Sequence, residues 1–88
     1  MPAKVEIYTK DYCPYCTKAK LLLQQLGADF TEIDLSVTPE KMAELLGRRP
    51  EARTVPQIFI DGTGIGGADD LYALHAQGKL KPLLGLGG

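Results

Sequence analysis

Val5-Glu6-Ile7-Tyr8, Cys13-Pro14-Tyr15-Cys16 and Ala19-Lys20-Leu21-Leu22-Leu23-Gln24-Gln25-Leu26 follow one another near the start of the chain, and their order decides the fold. The first run alternates Val5 and Ile7 with Glu6 and Tyr8, the period of a strand. In the last, Ala19, Leu22, Leu23 and Leu26 fall at i, i+3, i+4 and i+7, one apolar face of a helix. Between them lie the chain's only two cysteines, spaced Cys-x-x-Cys. Pro14 suits the first helical position, because the N–H it lacks would be unpaired there. A helix N-terminus carries about half a positive charge on its free N–H groups and favours a thiolate over a thiol. An ordinary cysteine, with a pKa of about 8.5, is only a few per cent thiolate at neutral pH. Strand, sharp turn, dithiol and helix together suit thiol–disulfide exchange.

The 88 residues allow one domain, 1–88, around one small core. A composition of 44% hydrophobic and 24% charged residues is that of an ordinary soluble globular protein. The net charge of −1 gives no footprint for nucleic acid. No run of some eighteen apolar residues exists, so no membrane partner is expected. Met1-Pro2-Ala3-Lys4-Val5-Glu6 holds no apolar stretch of signal-peptide length, which points to the cytoplasm. In a reducing compartment two cysteines serve catalysis or metal binding rather than cross-linking.

Further along, Gly27 follows the first helix as a left-handed terminator, and Phe30 to Leu35 reads as a second strand. Thr38-Pro39-Glu40 reads as the start of a second helix with Met42, Leu45 and Leu46 as its apolar stripe, ending near Gly47. Gln57 to Ile60 is a third strand, and Asp61-Gly62 a turn into a short fourth strand around Ile65. Asp69 and Asp70 open a third helix that carries Leu71 and Leu74 and closes at Gly78. The tail is expected to fray beyond about residue 84. The opening βαβ unit makes its two strands parallel, and the later hairpin is antiparallel. The expectation is an α/β fold, a mixed four-stranded sheet flanked by three helices.

The chain resembles the glutaredoxins, small members of the thioredoxin-like fold. Four pieces in order carry the resemblance: Tyr8-Thr9-Lys10, the Cys-Pro-Tyr-Cys dithiol, Thr54-Val55-Pro56-Gln57, and Gly66-Gly67-Ala68-Asp69-Asp70-Leu71. Thioredoxins proper are a poorer match, since their dithiol usually reads Trp-Cys-Gly-Pro-Cys. The resemblance implies a sheet order 4-3-1-2, a cis bond before Pro56 and a glutathione groove where the pieces converge. Two departures stand out. Ala68 occupies a place where many relatives have Cys or Ser, and Gly64 one where a larger residue is usual.

Cys13, at the cap of the helix, is the expected nucleophile, and Cys16, three residues on and less exposed, the resolving thiol. Lys10 adds positive charge near the thiolate and can pair with a glutathione carboxylate. Tyr15 can cover the groove wall with its ring. Thr54, Val55 and Pro56 offer backbone to a peptide-like substrate as a short added strand. Gly67, Ala68, Asp69 and Asp70 offer N–H groups for a carboxylate and acids for an ammonium, a fit to the zwitterionic γ-glutamyl end. Arg48, Arg49 and Arg53 lie near the expected glycine-carboxylate end of the groove, with Arg53 favoured because it adjoins Thr54. His75 is expected only as a helix-surface residue.

The expected activity is therefore glutathione-dependent reduction of protein–glutathione mixed disulfides and some protein disulfides, by a monomer with no bound cofactor. Its expected partners are glutathione and glutathionylated or disulfide-containing proteins. No resident metal is expected, since two thiolates are only half of a four-ligand site. The alternative is a glutathione-assisted iron–sulfur carrier dimerised around a cluster on Cys13. Pro14 stiffens that loop and Cys16 competes for the sulfur, which counts against it.

Overall fold

The computed structural model describes residues 2–86. Strand β1 (Val5–Thr9) leads into helix α1 (Pro14–Gln25), then β2 (Thr31–Asp34), α2 (Lys41–Arg48), β3 (Gln57–Ile60), β4 (Thr63–Gly66), α3 (Ala68–Ala76) and α4 (Leu80–Leu83). The sheet order is β2-β1-β3-β4, the expected order 4-3-1-2. β1 pairs in parallel with β2 and antiparallel with β3, and β3 with β4 antiparallel. Among the described residues no helix is long and apolar enough to cross a membrane.

Both faces of the sheet are covered. Val5, Ile7, Ile58 and Ile60 pack on one side with Ala19, Leu22 and Leu23 of α1, Leu71 of α3, and Leu80 and Leu84. Tyr8 and Phe59 pack on the other with Leu35 and Leu45 of α2. Tyr8 alternates with Ile7 as a strand demands, yet it is as buried as Ile7 because α2 roofs its face.

The second helix begins later than its sequence suggests. Thr38 and Pro39 form a turn, with Lys41 N–H donating to the Thr38 carbonyl and Met42 N–H to that of Pro39. The Thr38 hydroxyl donates to the Asp34 carbonyl at 3.0 Å, and no side chain caps α2, whose N-cap is Glu40. Leu46 is exposed and Gly47 sits inside the helix, leaving Met42 and Leu45 as the inward stripe.

A fourth helix joins the expected three. Leu80 and Leu84, one turn apart, both enter the core, and Ala3 N–H donates to the Leu84 carbonyl at 2.9 Å. Beyond residue 84, where the sequence suggests fraying, Leu86 packs against the core and its N–H donates to the Lys81 carbonyl. The anchor lies at the opposite end of the chain, where local sequence cannot reveal it. The final Gly87 and Gly88 lie outside the described residues.

Candidate active site

Cys13 occupies the N-cap of α1 with extended backbone, and Pro14 follows at the first turn. Tyr12, immediately before it, has φ +53 and a fully exposed ring, a left-handed step that swings the chain off β1 into the helix. Cys13 and Cys16 are joined as a disulfide with Cα atoms 5.2 Å apart, so the structure is that of the oxidised state. The two sulfurs differ in access: Cys13 is half-buried, whereas Cys16 is 2% exposed. Cys16 N–H points at Cys13 Sγ at 3.1 Å. That N–H is placed to stabilise negative charge on the Cys13 sulfur, and no acid stands in the first turn of α1 to oppose it.

Across from the dithiol the Val55–Pro56 bond is cis, as the resemblance implies. Val55 precedes the paired part of β3, which begins at Gln57. Its carbonyl oxygen lies 3.8 Å from Cys13 Sγ. The backbone before β3 therefore faces the reactive sulfur.

A groove of about 510 Å³ runs beside this edge. Tyr15, Arg53, Thr54, Val55, Pro56, Gly67, Ala68, Asp69 and Asp70, nine of the expected binding residues, all line it. Tyr15 keeps 59% of its surface exposed there. Lys10 lies apart from this groove, in a neighbouring hollow with Arg53, Thr54 and Val55 and in another beside Cys13. It stands between the dithiol and the groove wall.

The two aspartates at the start of α3 divide their work. Asp70 folds back so that Gly67 N–H donates to its carboxylate at 3.0 Å, an ordinary capping contact. Asp69 makes no hydrogen bond or ion pair among the described residues. A Cβ at Gly66 would run into the Asp70 carboxylate, and Gly66 has φ +112, so only glycine fits. Ala68 turns its side chain into the core.

The three arginines also separate. Arg48 is engaged in the core: its guanidinium donates to both Glu6 oxygens at 2.9 and 3.0 Å and to Tyr8 Oη at 3.1 Å. It also lies 3.9 Å over the Phe59 ring. Glu6 is held below the usual carboxylate range, first by that hydrogen bond from Arg48. The Tyr8 phenol, raised mainly by burial, donates to Glu44. This tie fixes α2 on the sheet and with it the segment entering the groove wall. It removes Arg48 from ligand binding. Arg49 and Arg53 both line the groove.

Sequence reasoning missed Gln57 as a groove residue. Only 6% exposed, it donates from Nε2 to the Thr54 carbonyl at 2.8 Å and braces the loop before the cis bond. Its Oε1 is buried without a partner among the described residues. The polar residue in an otherwise apolar strand, Gln57-Ile58-Phe59-Ile60, was the available signal. His75 is exposed on α3, as expected of a surface residue.

The chain matches the family model described as glutaredoxin over residues 5–65. It is 54% identical to glutaredoxin 3 of Escherichia coli strain K12 over 82 residues, 93% of this chain and 98% of that protein. To the glutaredoxin of Pseudomonas aeruginosa it is 54% identical over 80 residues, covering 91% and 94%. The solution structure of glutaredoxin from Brucella melitensis superposes with a TM-score of 0.81 at 52% identity, covering 99% of this chain and 94% of that one. The crystal structure of a buckwheat glutaredoxin–glutathione complex gives 0.83 at 40% identity, covering 94% and 77%.

Proposed function

The chain belongs to the glutaredoxin family as a dithiol thiol–disulfide oxidoreductase, and from that premise we propose that its electrons come from glutathione. Its substrates are then protein–glutathione mixed disulfides and some protein disulfides, and it acts as a cytoplasmic monomer. The observation that carries this reading is the accessible Cys13 at the head of a helix, with the Val55 carbonyl 3.8 Å from its sulfur and a groove of both charges alongside. A tripeptide with a thiol, two carboxylates and an ammonium suits such a wall.

In the first step the Cys13 thiolate attacks the glutathione sulfur of a mixed disulfide. A Cys13–glutathione disulfide forms, and the protein sulfur leaves as thiolate and takes a proton. A second glutathione thiolate then attacks the glutathionyl sulfur, giving oxidised glutathione and restoring the Cys13 thiolate. In the other exit Cys16 attacks Cys13 Sγ and expels glutathione. The resulting disulfide is that of the structure, and two glutathiones return it to the dithiol. A thiolate stabilised by the helix is both abundant nucleophile and good leaving group, though each is intrinsically less nucleophilic. Lys10, Tyr15, Arg53, Thr54, Val55, Pro56, Gly67, Ala68, Asp69 and Asp70 hold the glutathionyl group, Val55 by its backbone and Asp69 by charge.

The test is reduction of a small glutathione mixed disulfide, coupled to glutathione reductase. Turnover that saturates with glutathione is expected. Turnover sustained by thioredoxin reductase without glutathione would sink the reading.

A further inference from the structure

Arg49 caps the C-terminal end of α2 and is half-buried, yet its side chain makes no ion pair or hydrogen bond among the described residues. It nevertheless lines the groove together with Gly66, Gly67, Asp69 and Asp70. The reason it lies there is the bare backbone of β4. A Cβ at Gly64 would stand 3.0 Å from Arg49 Nη1 and 3.1 Å from Phe59 Cε2, so the guanidinium occupies space that any side chain would contest. Gly64 is not in the left-handed region, so its backbone does not require glycine; a side chain there would instead press on the Arg49 guanidinium and the Phe59 ring. Two residues further along the same strand, a rise of about 6.6 Å, Gly66 meets Asp70. The groove thus brings a cation with no partner among the described residues onto the same wall as two acids. The hollow next door instead has two cations, Lys10 and Arg53, and no acid.

We propose that Arg49 binds the α-carboxylate of the γ-glutamyl group, and that the absence of a side chain at Gly64 is what admits it; this rests on the glutathione reading above. The γ-glutamyl end carries an ammonium and a carboxylate on one carbon, which calls for an acid and a base side by side. Asp69, which has no partner among the described residues, takes the ammonium with the capping Asp70 beside it, and Arg49, with its planar fork of donors, takes the carboxylate. The glycyl end carries a carboxylate alone, and Lys10 with Arg53 matches it. Glu51, the remaining acid on the wall, is exposed at its rim.

The test compares three mixed disulfides: that of glutathione, that of its glycyl ethyl ester, and that of γ-aminobutyryl-cysteinyl-glycine, which lacks only the α-carboxylate. The wild-type protein is expected to lose about tenfold in kcat/KM on the decarboxy compound, the scale of one charge-assisted contact. Arg49→Ala loses the same factor on glutathione, loses nothing more on the decarboxy compound, and keeps its full sensitivity to the ester. Arg49→Lys keeps part of the discrimination. Gly64→Ala, with its melting temperature checked, moves toward Arg49→Ala by displacing the guanidinium. An Arg49→Ala protein that still separates glutathione from the decarboxy compound overturns the assignment alone. A wild-type protein that separates none of the three ligands overturns the glutathione reading beneath it.

Discussion

Replacing Arg48 by Met removes the guanidinium that ties α2 to the sheet while keeping an apolar stem over Phe59. The pair it breaks is bidentate, with the Glu6 side chain 15% and the Arg48 side chain 26% exposed. Stripping one partner from a fully buried pair costs about 3–5 kcal/mol, because the other charge is left without compensation. Water reaches the outer edge of this pair and screens it, and the methionine retains contact with the ring. We therefore expect a loss of about 2 kcal/mol at pH 7. In a domain of this size that lowers the melting temperature by roughly 8–16 °C. Glu6 has a depressed pKa in the folded state, so its contribution is complete above the ordinary glutamate pKa and is lost as pH falls through the depressed value. The gap between wild type and Arg48→Met should accordingly be widest near neutrality and narrow in acid, and Glu6→Gln in the Arg48→Met background should recover part of it. Thermal unfolding of the disulfide form, followed by circular dichroism at neutral and acid pH, measures both. A loss below about half a kcal/mol at pH 7, or one independent of pH, would refute the tie as an electrostatic clamp.

Cys13→Ser should abolish oxidoreductase activity, while Cys16→Ser should keep much of the deglutathionylation activity, since glutathione itself can resolve the adduct; equal loss in both would make the two-thiol route obligatory. In the reduced protein, thiolate absorbance against pH should show Cys13 ionising well before Cys16, and a Cys16→Ser variant that titrates like an ordinary thiol would contradict activation by the helix N-terminus. Neutralising Lys10, or Asp69 and Asp70 together, should raise the KM for glutathione by about three- to tenfold, and unchanged kinetics would return them to surface and capping roles. Gln57→Leu gives up the bond to Thr54 but also removes an orphaned acceptor, so stability should change by less than about 1 kcal/mol while the KM for glutathione rises; a large loss of stability with an unchanged KM would make Gln57 a core residue only.

The strands, the first helix and the dithiol were legible because their signals are local. A period of two in β1, apolar residues at i, i+3, i+4 and i+7 in α1, and two cysteines around Pro14 each declare themselves within a few residues. Even the asymmetry of the two sulfurs follows from that register, because the residue at the cap stands in the open and the one inside the first turn faces the core. The four pieces also supplied eight of the nine expected binding residues that line one groove, Arg53 being the ninth. What remained hidden depends on partners distant in sequence. Thr38 turns back onto Asp34 before α2 begins, and α4 depends on Leu80 and Leu84 entering the core near the other terminus. Three arginines within six positions look alike in sequence, yet Glu6 takes Arg48, the bare backbone of Gly64 seats Arg49, and Arg53 stays exposed. Which charge is free to meet a ligand is decided by what has already met it in the folded chain, and no local pattern carries that information.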